Sequence, residues 1–411
     1  MPKTQDDELR TIRSTLAYPI NSKRLSQLAS PSSRVAIAVT DSTRQVPNHK
    51  ILPLAIEQLT ESGVDDHNIA AGMHRPSTEE EIRTNIGNEI ARRFVTVNHD
   101  AEDEMNMRGY GRSQLGTELQ VNKLLADADL KIATGTTTPC SLSGRCGGSK
   151  TLMPGASRRR SIEQNHALFI RNLEKVNRGA MGGIVENNLV RKNIDDCGRM
   201  AGLDFAVNVP LNAEKQVVPA FAGDPLDVHR ESDSFGKGVM RTALPERAGM
   251  VMAGHSYVEN ELGLFQSVTR TFATVENLVK DRGTIMLVSS CHKGIYEGSG
   301  NEVEPFRKRL ADLRKSKEMV EMTKRNEVPS FEACVLYQFS WVMQRCSLKV
   351  VTDGVTKNVL NEVGISGFSS MDEAIEESLK AHDEDAKIAV VPYSSVTYVT
   401  PIPPPGVASI R

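Results

Sequence analysis

Short β-branched and apolar runs alternate with helical patterns along nearly the whole chain, and this alternation restricts the fold more than any other feature. Val35-Ala36-Ile37-Ala38-Val39 reads as a buried strand, followed by a helical stretch from about Lys50 to Glu61. Asn68-Ile69-Ala70-Ala71 is the next strand. Ser77 with Glu80 then forms a capping-box pattern for a helix whose apolar face is Ile82, Ile86 and Ile90. Strand runs recur at Phe94–Val97, Leu130–Ala133, Phe205–Val209 and Val217-Val218. Strands that alternate with helices pair in parallel, so the expectation is an α/β domain on a largely parallel sheet.

A polar junction, Ala243-Leu244-Pro245-Glu246-Arg247, precedes a second alternating set. That set includes Gly249–Met252, a helix around Leu262 to Val279, Thr284–Val288, Leu348–Val351, a helix from Met371 to His382 and Lys387–Val391. A chain of 411 residues exceeds one ordinary core. We therefore expect a first α/β domain over 1–245, a second over 246–395, and an extended tail over 396–411 stiffened by Pro401-Ile402-Pro403-Pro404-Pro405.

Charge and composition exclude several classes of partner. Lys plus Arg total 50 against 52 for Asp plus Glu, so no global field favours nucleic acid or anionic lipid. No apolar run approaches the ~20 residues that span a membrane. The polar, acidic start Met1-Pro2-Lys3-Thr4-Gln5-Asp6-Asp7-Glu8 is unlike a secretory leader. Six cysteines without paired metal-type spacing read as reduced thiols, and the expected location is cytoplasmic.

The chemistry concentrates between Pro139 and His166. Gly144-Arg145-Cys146-Gly147-Gly148-Ser149-Lys150 is a Gly-rich turn whose backbone can approach a ligand closely. It delivers an amine at Lys150, and His166 follows with an imidazole able to ligate a metal. Together these suggest an anchored, phosphate-bearing, metal-containing cofactor. The turn nearly spells the phosphate loop of nucleotide hydrolases, but Ser149 replaces its second Gly and no strand feeds directly into Gly144. Open α/β sheets collect ligands at the carboxyl ends of strands. Three polar clusters fall there: Asp41-Ser42-Thr43-Arg44, Gly72-Met73-His74-Arg75-Pro76 and Asn98-His99-Asp100. Each suits capping or turn duty as well as ligand binding. His74, beside a Pro-ended turn, has a side chain fitted to acid–base work.

In this order the clusters resemble the nickel-dependent lactate racemase family. The matching pieces continue through Asn122-Lys123, Gly147-Gly148-Ser149-Lys150, Pro154-Gly155, Asn165-His166, Asn208-Val209, Phe221-Ala222-Gly223-Asp224 and Leu264-Phe265-Gln266. The resemblance implies two Rossmann-like α/β domains with the active site in the interdomain cleft. It implies a nickel-pincer nucleotide, a pyridinium-derived mononucleotide holding nickel through carbon and sulfur, attached to Lys150 as a thioamide. His166 would complete the nickel coordination, a role that suits neutral imidazole. Asp41, Gly147 and Gly148 would contact the cofactor. Arg44 and Gln266 would orient cofactor or substrate, and Trp341 would close over the pocket. Separate biosynthetic proteins would supply the cofactor. The family reaction racemises a 2-hydroxyacid by reversible hydride transfer, with a histidine base on each side of the substrate, and His74 matches the first.

The chain departs from that pattern at two places. The family's Pro-His step before the Gly-rich loop is Pro139-Cys140 here. A thiol with an ordinary pKa near ~8.5 is a usable base only if that value is depressed. Cys140 is therefore either the second base or a small residue in a reshaped pocket. The family's Tyr-Gln followed by Lys becomes Phe265-Gln266 and Thr269. Losing a phenol and an ammonium removes two contacts to a carboxylate, each worth about 1.5–3 kcal/mol. The expected substrate is thus a 2-hydroxyacid other than simple lactate. The alternatives are a single-base redox enzyme and a cofactor- or ligand-binding paralogue.

Overall fold

The computed structural model describes residues 4–41, 44, 46–64, 67–71, 77–174, 185–212, 214–239, 241–254, 263–295, 321–322, 325, 329–394 and 397–401. The chain divides into two compact units. The first comprises Met1–Thr138, Arg145–Leu168 and Asn187–Gly236; the second comprises Pro139–Gly144, Phe169–Glu186 and Lys237–Arg411.

The first unit opens with helices α1 (Gln5–Ala17) and α2 (Leu25–Leu28), then strand β1 (Val35–Val39), helix α3 (Asn48–Glu61) and β2 (His67–Ala71). Helices α4 (Glu79–Ile86) and α5 (Asn88–Arg93) lead to β3 (Val95–Asn98). An antiparallel hairpin, β4 (Met107–Arg112) and β5 (Glu118–Asn122), precedes helix α6 (Lys123–Ala126) and β6 (Leu130–Gly135). Next along the chain come two short strands, β7 (Pro139–Cys140), whose residues group with the second unit, and β8 (Gly144–Arg145), which opens the Gly-rich turn. Helices α7 (Arg159–Glu174) and α8 (Leu189–Met200), strands β9 (Phe205–Asn208) and β10 (Phe221–Gly223), and helix α9 (Pro225–Val239) follow.

Six strands form one sheet in the order β10-β9-β6-β1-β2-β3, parallel throughout except for β10. Every residue of β1 is buried, as a strand covered on both faces demands, and its continuous Val/Ala/Ile run reflects that. Val35 pairs with His67 on one side and with Leu130 on the other. The core gathers Ile12 and Leu16 of α1, Ile51, Leu52 and Leu59 of α3, and Ile37, Ile132, Phe205 and Val207 of the sheet. Lys50 reaches across from α3 to the buried Glu8 of α1 at 2.8 Å.

Local details correct the sequence reading. The capping box is Thr78 with Glu81, one residue on from the expected pair: Glu81 N donates to Thr78 Oγ1 at 3.2 Å and Thr78 N to Glu81 Oε2 at 2.8 Å. Ser77 is engaged by Asn98 instead. The single helix expected over Ile82–Ile90 is two helices, because Gly87 at φ +92° ends one and starts the next. Val217-Val218 is not a sheet strand: Val217 makes one isolated bridge to Leu211, and β10 takes the edge position.

The second unit carries β11 (Arg241–Leu244), β12 (Ala248–Gly254), helix α10 (Leu264–Val275), β13 (Val279–Val288), β14 (Ser347–Val351), β15 (Ser366–Phe368), β16 (Ile388–Val391) and β17 (Tyr398–Pro401). Five strands make an all-parallel sheet in the order β15-β14-β13-β12-β16, while β11 pairs with β17. The helix expected over Leu262–Val279 stops at Val275, where the chain turns into β13, and the one expected to reach His382 ends at Leu379. The tail beyond 401 lies outside the described residues. Among the described residues no helix is long and apolar enough to cross a membrane.

Candidate active site

Strands β1 and β6 are neighbours at the sheet centre, yet the next strand after β1 lies on one side and the strand after β6 on the other. Such a reversal leaves a crevice at the carboxyl ends of the two strands. A pocket occurs there. Thr40, Asp41 and Arg44 line it from the end of β1, Gly135 and Thr136 from the end of β6, and Cys146, Gly147 and Lys150 from the Gly-rich turn. Thr136 is 3% exposed, and its Oγ1 has no hydrogen-bond partner among the described residues. A buried hydroxyl in that state favours a polar ligand.

The turn is fixed from beneath. Gly147 and Gly148 take φ of +89° and +58°, a region that L side chains avoid. A Cβ on Gly147 would stand 2.4 Å from Asn208 Nδ2, so only glycine lets the chain lie against β9. Asn208 Oδ1 accepts from Gly148 N at 3.2 Å. Arg191 of α8, 1% exposed, donates from Nη1 to Gly147 O at 3.0 Å and pairs with Asp195 one turn on. Ser149 packs on Gly198 of the same helix, where a Cβ would overlap its Oγ. Residues Gly148–Thr151 form a single 3₁₀ turn that places Lys150 in the pocket. A hydrolase phosphate loop would instead open an α-helix from a strand, so that reading is not supported.

Two buried arginines near the turn are each paired with an aspartate. Arg145, wholly buried, pairs with Asp233 of α9 at 3.2 Å. His229 of α9 lies against Gly148, and its Nε2 has no hydrogen-bond partner among the described residues. Burial first, then Arg191 and Arg145, hold its pKa well below the usual histidine value, so it stays neutral. Arg191, His229 and Thr136 were not singled out by motif. The only signals in the sequence are the Arg191/Asp195 i,i+4 spacing and a Thr directly after a strand.

His166 sits on α7, 7% exposed, and its Nδ1–H donates to Ile162 O at 2.7 Å. That bond fixes the tautomer and leaves the lone pair on Nε2, the arrangement of a ligating imidazole. Asn165 beside it donates to Val190 O and Asn193 Oδ1, fastening α7 to α8. The Asn98-His99-Asp100 cluster has structural duties. Asn98 brackets the Ser77 backbone, while buried His99 donates Nε2–H to Ser157 O at 3.0 Å and accepts from Asn122 at 3.3 Å. Burial lowers its pKa, and both ring nitrogens are occupied.

The structure thus brings Asp41, Arg44, Gly147 and Lys150 into one pocket, with Gly148 directly below. His74, Ser42 and Thr43 lie outside the described residues, as does the side chain of Gln266, whose backbone is in α10. Cys140, half-buried, belongs to the second unit with Gln266 and Trp341. Trp341 is on the helix Ser330–Arg345, with the Arg345 guanidinium 5.6 Å from its ring centre. In α10, Phe265 is buried, and Thr269 donates its hydroxyl to the Phe265 carbonyl at 3.0 Å. Among the described residues no group of three His, Cys, Asp or Glu side chains is arranged as a metal site.

A largely parallel α/β sheet with Lys150 on a glycine turn at its reversal point defines an α/β protein with a polar-lined pocket at the carboxyl ends of β1 and β6. Residues 1–177 match the lactate racemase N-terminal domain, and residues 250–398 the lactate racemase C-terminal domain. The lactate racemase of Lactiplantibacillus plantarum is 27% identical over 392 residues, covering 94% of this chain and 89% of that protein. That of Thermoanaerobacterium thermosaccharolyticum is 26% identical over 396 residues, covering 95% and 90%. The structure of the lactate racemase apoprotein from the same organism superposes with a TM-score of 0.86 at 25% identity, covering 96% of this chain and 93% of that one. A protein from Thermotoga maritima shares the fold, with a TM-score of 0.71 at 16% identity. The chain belongs to the lactate racemase family, a family of isomerases.

Proposed function

We propose that this enzyme racemises or epimerises a 2-hydroxyacid other than simple lactate, using a nickel-pincer nucleotide attached to Lys150. The observation that carries the reading is the Lys150 amine, held on a positive-φ glycine turn in one pocket with Asp41 and Arg44. The residues fit such a group. Thr136 Oγ1 has no partner among the described residues, the turn leaves no room for a Cβ at Gly147, and the Nδ1–H of His166 donates to Ile162 O, which makes Nε2 the acceptor nitrogen of its ring. When bound, the group supplies an electrophilic carbon that takes and returns the substrate's hydride.

The chain's own side chains do the rest. Lys150 anchors the cofactor, His166 Nε2 ligates its metal, and Asp41 with Gly147 and Gly148 seats it. Arg44 binds the substrate carboxylate. His74 removes the hydroxyl proton and returns it. Cys140 serves the opposite face, and Gln266 and Trp341 complete the substrate side, so the reading requires both units to act on one substrate. Cofactor-synthesis proteins deliver the group. Thr269, whose hydroxyl is spent within its own helix, and buried Phe265 offer no cation or phenol for a small carboxylate. This supports a larger or more polar acid.

The test is chiral analysis of enantiopure 2-hydroxyacids with the loaded enzyme in D₂O. Hydride return predicts racemisation with hydrogen, not deuterium, retained at Cα. Deuterium at Cα would point to proton abstraction instead. Oxidation to the 2-oxoacid without racemisation would favour the single-base reading.

A further inference from the structure

Lys150 shares its pocket with a thiol. Cys146 precedes it by four residues, both side chains are half-buried and line the pocket, and Lys150 Nζ lies 3.8 Å from Cys146 Sγ. Cys197, Cys291, Cys334 and Cys346 are buried; burial pushes the Cys197 thiol up to about 12 and that of Cys346 up to about 11. Those two keep their protons and are shielded from reagents. Cys146 instead is half-buried and lines a pocket beside the buried Thr136 hydroxyl. An amine within 4 Å of an accessible thiol is a trap for the first oxidation product of that thiol.

We propose that Cys146 and Lys150 form an oxidant-responsive pair that closes into a sulfur–nitrogen cross-link. A hydroperoxide oxidises the Cys146 thiol to a sulfenic acid and is itself reduced to the alcohol, or to water in the case of hydrogen peroxide. Lys150, once its ammonium has released a proton to solvent, attacks the sulfur: the S–N bond forms, the S–O bond breaks, and one water leaves carrying the hydroxyl and an amine proton. The protein has lost two hydrogen atoms. A dithiol reverses the step, returning thiol and amine and becoming a disulfide. While closed, the bond removes the amine to which the cofactor attaches. That consequence rests on the proposed role of Lys150, whereas the cross-link itself does not.

The experiment uses the full-length, unloaded chain treated with hydrogen peroxide, followed by intact-mass and peptide mapping. The expected result is a dithiol-reversible loss of two hydrogens, mapped to the Cys146–Lys150 segment. It survives in Cys140→Ser and is absent in Cys146→Ser and in Lys150→Arg, each still folded by circular dichroism. A loss that persists in Lys150→Arg but vanishes in Cys140→Ser is a Cys140–Cys146 disulfide and overturns the proposal. Oxygen addition at Cys146 with no cross-link overturns it as well. A cross-link in a chain that never acquires cofactor separates this inference from the functional reading, because the first then stands and the second fails.

Discussion

The Gly-rich turn of the first unit and helix α10 of the second occupy matching stations in the family pattern, yet this chain treats them differently. At the turn, each unusual residue is held by several neighbours: Asn208 and Arg191 grip Gly147 and Gly148, and Ser149 fits the gap over Gly198. In α10 the positions read as departures from the family pattern are Phe265, which is buried, and Thr269, whose hydroxyl donates to the Phe265 carbonyl. Under the proposed function, the turn that would hold a cofactor is fixed by several neighbours, while the helix expected to grip a substrate carboxylate offers neither phenol nor ammonium at those two positions. Attachment chemistry tolerates little displacement, whereas substrate preference shifts with a few side chains.

The largest effect that would sharpen this contrast is on the proposed base. His74→Ala is expected to lower turnover about 10²–10⁴-fold while nickel content is unchanged, read by chiral assay alongside metal analysis. Retained turnover would remove His74 from the mechanism. On the substrate side, the double variant Phe265→Tyr/Thr269→Lys should gain activity on lactate. Each restored contact is worth about 1.5–3 kcal/mol, or on the order of 10–100-fold in kcat/KM. No gain would locate specificity elsewhere than α10.

At the turn, Gly147→Ala should destabilise the protein by about 2–3 kcal/mol, because the residue sits at φ +89° and a Cβ would meet Asn208. Denaturant unfolding measures this. A loss under about 0.5 kcal/mol would show that the turn yields more readily than its packing implies.

The smallest effects separate the two units by pH. His229 in the first unit has its pKa held well below the ordinary 6.5 by burial and then by Arg191. Its contribution to stability is present above that value and is lost as the pH falls below 6.5. Glu276 in the second unit is buried, Oε2 has no partner among the described residues, and burial raises its pKa from 4.5 to about 8, against the pull of Arg345 and Arg247. Its contribution is present below pH 4.5 and is lost as the pH rises toward 8. Thermal unfolding against pH should therefore flatten on the acid side in His229→Gln and on the alkaline side in Glu276→Gln. Unchanged profiles would mean that neither group titrates between the folded and unfolded states.

Strand runs were legible because a strand covered on both faces must be apolar at every residue, as β1 is. Helix boundaries were less so. Gly87 splits a continuous apolar periodicity by a backbone angle that hydrophobic spacing does not encode. Val217 looked like a strand residue because burial in a loop leaves the same apolar mark. Within the site, Asp41, Arg44, Gly147 and Lys150 could be read from their place after strands or in a turn. Arg191, His229 and Thr136 could not, since their importance lies in what the fold sets against them. His99 shows the converse: a polar cluster at a strand end proved to be an internal strut.

The central claim is that Lys150 carries a nickel cofactor, and intact-mass spectrometry with nickel analysis tests it most directly. The protein is to be co-expressed with the family's cofactor-synthesis enzymes, with Lys150→Ala beside it. The account predicts a covalent adduct mapping to Lys150 with about one nickel per chain, and neither in the variant. An unmodified, nickel-free chain under conditions that load a known lactate racemase would contradict it.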